Sequence, residues 1–183
     1  MNDKVKKFEN PERLKELSPK ETLKKIGFKE DMCLCDIGAG TGIFSVEASK
    51  ISKNDVYALD ISQDMIDILN IKKSDENLVN MKVIRVESDT LPIKNNICNI
   101  AIMITVMHEL ENIEIMMNEI KRILKDGGKL FIVEFHKKKT PFGPPEDHRI
   151  SIEEVTKICE ETGFRVEKSF DLGENFYGIS VFV

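Results

Sequence analysis

The sequence has no apolar run of the ~20 residues that a membrane-spanning helix needs. Its charged opening, MNDKVKKFENPERLKEL, leads into no apolar stretch, so no secretory leader is expected there. Internal repeats and low-complexity segments are absent. Positive charge is not in excess: 27 Lys and Arg stand against 32 Asp and Glu, a formal net charge of -5. Broad, nonspecific nucleic-acid binding depends on Lys and Arg neutralising phosphates, so nucleic acid is not an expected partner. Aromatic residues make up only 7% and are not interleaved with basic ones, so the stacking surface an RNA substrate would need is also missing. Cysteine is sparse, with four in all. Cys33 and Cys35 stand two apart in what reads as one strand, so they share a face and are badly placed to pair with each other. A C-x-C pair alone is a weak metal signal. Reduced core thiols, no metal and a cytoplasmic location are the expectation.

What is present is the balance of a globular protein: 41% apolar and 32% charged residues in 183, enough for one domain with a real core. Helical and extended segments alternate. Residues 10–26 read as helical, with Pro11 suited to a first turn and Pro19 breaking or restarting the helix. Residues 32–38 read as a strand closed by glycine, 43–51 as a helix, 55–61 as a strand, and 63–72 as a helix with Ser62 as N-cap. Strands follow at 82–86 and 99–106, the latter almost all apolar, as a strand buried on both faces should be. A helix over 113–124 is expected to stop at Asp126-Gly127-Gly128, before a strand at 129–135 and a Pro/Gly loop at 140–145. Ser151 caps a helix that ends before Gly163, and segments 165–171 and 176–183 form a hairpin around Gly173-Glu174-Asn175. This alternation predicts a mostly parallel sheet of seven strands covered by helices on both faces, with the hairpin adding one antiparallel strand. Ligands on such sheets bind at the carboxyl ends of the strands, beside the first one.

The residues just after each strand are therefore informative. After the first strand comes Asp36-Ile37-Gly38-Ala39-Gly40-Thr41-Gly42. Its glycines allow a tight turn and close approach of a ligand at the start of the next helix. A dinucleotide loop wants glycine at the first, third and sixth positions. Here the sixth position is Ile43, which favours a ligand without a pyrophosphate. Asp60, at the end of the second strand, stands where an acid can accept the ribose hydroxyls of an adenosine ligand. Asp89, after the third strand, could accept a hydrogen bond from an adenine amino group. Three acids around one pocket (Asp36, Asp60 and Asp89) suit a ligand carrying a sulfonium and an ammonium.

With DIGAGTG, then ALD, then ESDTLP, then ILKDGGKLFIVEF in order, the chain resembles the class I S-adenosylmethionine-dependent methyltransferases, of the type 11 or quinone-biosynthesis C-methyltransferase-like subgroup. The resemblance runs over about residues 11–183. It implies a Rossmann-like three-layer α/β sandwich with strand order 3-2-1-4-5-7-6 and strand 7 antiparallel. It also implies S-adenosylmethionine as cofactor. Asp36, Gly38 and Gly40, with Ala39 between the glycines, would then meet the methionyl part. Asp60 would hold the ribose, Ile61 and Asp89 would flank the adenine, and Thr105 would line the pocket. Residues 1–28 would form a short helical cap on the domain at 29–183.

On the substrate side, the three histidines, His108, His136 and His148, all follow strands or lead from them on the carboxyl edge. A histidine there can act as a general base. His108 and His148 are the candidates, against the plainer reading of ordinary loop residues. A metal site built from them with Glu109 or Glu134 has no ligand spacing behind it. The loop from Pro141 to Pro145 is expected over the site, with Phe142 packing on substrate or on the protein. His136-Lys137-Lys138-Lys139 and Arg149 give local positive charge that could attract an acidic substrate. The short cap leaves the pocket open, or closed by a second copy in a homodimer. The expected reaction is methyl transfer to a small-molecule acceptor at O, N or C. Its rivals are a non-catalytic S-adenosylmethionine-binding or sensing module and a nicotinamide-dependent oxidoreductase, which the missing sixth glycine disfavours.

Overall fold

The computed structural model describes residues 3–183, apart from the side chains of residues 3, 4 and 7, so the first two residues of the expected cap lie outside it. Helices α1 (Asp3–Phe8), α2 (Pro11–Leu17) and α3 (Pro19–Lys25) precede the sheet. Asn10 caps α2, its side-chain oxygen accepting from the backbone N–H of Glu12 at 2.9 Å and of Arg13 at 3.4 Å. The chain restarts at Pro19, as its sequence predicts, through a left-handed Ser18 with φ 39°.

The strands are β1 (Leu34–Ile37), β2 (Val56–Asp60), β3 (Met81–Arg85), β4 (Cys98–Ile104), β5 (Leu124–Phe135), β6 (Arg165–Leu172) and β7 (Phe176–Phe182). Between them run α4 (Ile43–Ile51), α5 (Gln63–Asp75), α6 (Ile113–Ile123) and α7 (Ile152–Glu161). The sheet order is β3-β2-β1-β4-β5-β7-β6. β1 to β5 pair in parallel, and β7 pairs antiparallel with both β5 and β6. The order turns around at β1, so a crevice opens at its carboxyl end.

Alternate residues of the central strands feed opposite faces, the two-residue period of a pleated strand. Ile100 and Ile102 pack with Leu17, Leu23, Phe28 and Phe44 on one face. Ala101 and Met103 pack with Met117, Ile120 and Val155 on the other. All four cysteines are buried free thiols, and Cys33 Sγ lies 3.9 Å from Cys98 Sγ.

The junction of α6 with β5 and the cap of α5 differ from the sequence reading. The Asp126-Gly127-Gly128 turn does not stop α6; the helix ends at Ile123, and β5 already begins at Leu124, which pairs with Cys98. The register then shifts to Ile100↔Lys129, and Gly127 with φ 70° absorbs the irregularity inside the strand. Ser62 sits at the start of α5 but makes no side-chain cap; its own N–H is instead taken by Asp60 Oδ1 at 2.8 Å. Ser151 does cap α7, in a reciprocal box with Glu154.

Arg149 also departs from the reading of its charge. It is buried, and it donates to the carbonyls of His136, Lys138 and Pro144 and to Thr140 Oγ1. It therefore shapes the 136–149 loop from inside rather than standing on the surface as part of a basic patch. Arg149→Met, which strands those carbonyls, is expected to lower unfolding free energy by roughly 2–3 kcal/mol, read as a lower urea midpoint at unchanged slope.

Candidate functional site: a carboxylate-lined cleft at the end of β1

The loop that leaves β1 turns through three glycines at positive φ: Gly38 at 69°, Gly40 at 55° and Gly42 at 81°. A Cβ on Gly38 would lie 2.5 Å from Val106 Cγ2, so that position must be glycine for space as well as for backbone angle. A Cβ on Gly40 would meet no protein atom within 4 Å, because that side of the loop faces the cleft. Asp60 holds the loop: its Oδ2 accepts from Gly40 N at 2.8 Å while Oδ1 takes Ser62 N at 2.8 Å. Asp36 lies beneath, 2% exposed, accepting from Ser45 Oγ at 2.5 Å. Burial, helped by the nearby Asp60 charge and opposed by the Ser45 hydroxyl, pushes its carboxyl up to about 7.

These residues wall a cleft of about 450 Å³. Asp36, Gly38, Ala39, Gly40, Asp60, Ile61 and Thr105 are all brought to it. Ile61 is 76% exposed, an apolar face left open at the rim beside the buried Val86 and Leu91. Thr105 takes φ 59°, a left-handed angle that is costly for a β-branched residue. Its N–H donates to Val133 O at 2.7 Å, and Arg13 Nη2 donates to its hydroxyl at 3.1 Å. Asp89 is not part of this wall. After β3, Val86 and Leu91 turn inward and the polar residues between them project outward, so Asp89 is exposed, 3.5 Å from Asn112 Nδ2.

The histidines separate in the same way. His148 lies exposed on the short turn Glu146–His148 and is not among the residues that wall the cleft. His136 Nε2 faces Asp171 Oδ1 at 3.2 Å. His108 alone of the three reaches the site, in a smaller chamber of about 90 Å³ that shares Phe8, Arg13, Thr105 and Glu109 with the larger cleft. Phe142 lines this chamber and packs on the protein, with its ring 6.0 Å from both Phe135 and Phe176.

His108 Nδ1 is 2.8 Å from Glu134 Oε2, and its backbone N–H donates to Glu134 Oε1 at 3.3 Å. Glu134 is 1% exposed. Burial lowers the basicity of His108, but the hydrogen bond and charge of Glu134 outweigh it and hold the imidazole above its ordinary value. The pairing leaves Nε2 as the other ring nitrogen, 3.7 Å from Glu109 Oε1, and Glu109 lines both chambers. Sequence reasoning named Glu134 only as a metal ligand, although an acid inside the apolar run FIVEF is itself a signal. It missed Arg13 altogether. The signal there was spacing: Arg13 lies four residues before Leu17 and so shares its buried helical face.

Two buried polar side-chain atoms among the described residues lack a hydrogen-bond partner, Arg13 Nε and Thr41 Oγ1, and both residues line the cleft. Together with the opening beside Gly40 and the acids Asp36 and Asp60, they fit a polar nucleoside ligand that carries both cationic and anionic groups and no diphosphate.

Fold and cleft thus define a Rossmann-like protein of the 3-2-1-4-5-7-6 class. The methyltransferase domain family matches residues 35–132, more than half of the chain, and the chain belongs to that family. It is similar over 99% of its length to a SAM-dependent methyltransferase from Aquifex aeolicus, with TM-score 0.92, 30% identity and 97% of that chain covered. Among curated proteins it is similar to the ubiquinone/menaquinone biosynthesis C-methyltransferase UbiE of Shewanella sp. (strain W3-18-1), 28% identical over 124 residues, 64% of this chain and 48% of that protein. The same protein of Shewanella piezotolerans is 31% identical over 124 residues, with the same coverage. The chain spans about half the length of the curated relatives it matches. The structure of the cyclase SpnF, at TM-score 0.80 and 15% identity over 91% of this chain, shares the fold.

The raised Asp36 carboxyl has a stability consequence. Its unfolded value is near 3.8 and its folded value about 7, so the folded state binds the extra proton and loses stability as pH rises between the two. Asp36→Asn removes that loss. Its stability advantage over wild type is expected to grow by about 2 kcal/mol between pH 5 and 8, measured by urea unfolding; a gap that does not widen with pH would refute it.

Proposed function

We propose that this protein transfers a methyl group from S-adenosylmethionine to a small-molecule acceptor at O, N or C. The observation that carries the proposal is the cleft after β1, where a glycine loop held by Asp60 opens over the buried Asp36. Membership of the methyltransferase domain family supports it. In this reading Asp36, Gly38, Ala39 and Gly40 hold the aminoacyl part, Asp60 holds the ribose, and Thr105 closes the wall. Ile61, Val86 and Leu91 lie against the adenine, the place first expected for Asp89. Residues 1–28 act as the cap on the domain at 29–183, and four buried free thiols suit a cytoplasmic setting.

When bound, the cofactor supplies a methyl group on an electrophilic sulfonium. The protein's share is alignment, exclusion of water and handling of a proton. His108 is placed to take a proton from the acceptor through Nε2, with Glu134 as the positioning residue behind Nδ1. Phe135 and Phe142 give the acceptor chamber its apolar walls.

Thermal unfolding tests the cofactor assignment. S-adenosylmethionine or S-adenosylhomocysteine at a hundred times its dissociation constant should add about 2.7 kcal/mol, a rise of about 5–10 °C in midpoint, while NAD adds nothing. A rise with NAD alone would refute the assignment. An acceptor panel with S-adenosylhomocysteine as the readout separates an enzyme from a binding module.

His108→Ala should lower kcat by about 100-fold or more, with S-adenosylhomocysteine affinity nearly unchanged. Equal loss of both would remove His108 from catalysis. Because the base must be neutral, wild-type activity should rise with pH through a value above ~6.5. Glu134→Gln should move that limb to lower pH; an unmoved limb would exclude the positioning role.

A further inference from the structure

We propose that Arg13 anchors a carboxylate-binding subsite at the junction of the two chambers. The proposal deepens the reading above and rests on it for the larger chamber being a nucleoside site.

Arg13 comes from α2 with only 7% of its surface exposed, and it lines both chambers. A guanidinium is a planar fork of five donors made for a planar anion. Here one terminal nitrogen donates to Thr105 Oγ1 at 3.1 Å, while Nε has no partner among the described residues. The rings of Phe176 and Phe135 lie 5.4 and 5.9 Å from its central carbon and give the cation an apolar bed. The acid that acts on it electrostatically, Glu134, has both oxygens engaged by His108. Burial pulls the guanidinium down to about 10 against the opposing charge of Glu134, the mark of a charge short of solvent. A buried charge left so costs stability, and an incoming anion removes the cost. A carboxylate matches the fork in charge, planarity and spacing.

Two sources offer that carboxylate: the aminoacyl end of the nucleoside ligand, and an acid group on the acceptor. Two ligand pairs distinguish them. S-adenosylhomocysteine against 5′-methylthioadenosine differs by the whole aminoacyl end. Benzoate against benzamide, titrated into the ligand-free and the S-adenosylhomocysteine-loaded protein, differs in charge at nearly constant shape.

Each pair is titrated by calorimetry into wild type, Arg13→Met and Arg13→Lys. The charged member of at least one pair is expected to bind wild type about tenfold or more tightly than its partner. In Arg13→Met that preference should fall below about threefold while the uncharged member binds as before. Arg13→Lys keeps the charge and loses the fork, so it should retain an intermediate preference, and it answers for Arg13→Met should the latter not fold. A merely structural role, holding Thr105 in its left-handed turn, would weaken both members of a pair alike. Preference through Arg13 in the first pair places the aminoacyl carboxylate there; in the second, an acidic acceptor. No Arg13-dependent preference in either pair overturns the proposal. Failure of both adenosyl compounds to bind, with benzoate still selected through Arg13, would overturn the methyltransferase reading and leave the subsite standing.

Discussion

The carboxylate of Asp60 is the contact on which the cleft depends. One oxygen accepts from Gly40 in the loop after β1, and the other from Ser62 at the start of α5. Two turns from neighbouring parallel strands are thereby fixed against each other. The pairing Asp36↔Ala58 and Ile37↔Leu59 brings the strand ends level so that one side chain can span them. Three positive-φ glycines would otherwise give the loop wide freedom, and the carboxylate removes it. α4 then starts from Gly42, and its first residues, Ile43 and Phe44, line the cleft.

Around this fixed loop the protein buries more charge than its core requires. Asp36, Glu134 and Arg13 are each less than a tenth exposed. Each comes from a different element, β1, β5 and α2, and among the described residues neither Asp36 nor Arg13 forms an ion pair, while Glu134 pairs with His108. Asp36 has a serine hydroxyl and Glu134 has a histidine. Such an arrangement costs folding stability and leaves groups whose protonation and hydrogen bonding a ligand can change. Burial raises the Asp36 carboxyl, and the buried glutamate raises the His108 imidazole.

The amino-terminal segment joins the site to the far edge of the sheet. Within one turn of α2, Arg13 reaches Thr105 while Glu16 accepts from the backbone of Glu174 and Asn175 and from Asn175 Nδ2. The β6–β7 hairpin and the cleft are thus held by side chains three residues apart. Lys168, whose ammonium donates to the carbonyl of Lys25, ties the hairpin to α3 as well. The position of Arg13 is therefore set by packing far from the glycine loop, which couples α2 to the hairpin as well as to the cleft.

The parts of this protein that its sequence determined are those written in local pattern. Alternating two-residue and helical periods gave the strands and helices, and the spacing of glycines with Asp36 and Asp60 located the cleft, because a left-handed turn and a strand-end acid are local demands. Tertiary structure decided which side chains meet. Asp89 and His148 lie at the expected sequence positions yet face outward, because the loops carrying them turn on inward apolar neighbours and on the buried Arg149. Arg13 and Glu134 sit in segments that read as ordinary cap and core yet face inward, because β5 ends beneath a helix brought there by Glu16 and the hairpin. Loop course and helix docking are fixed by hydrogen bonds between residues up to 159 positions apart, and no window of sequence contains both partners.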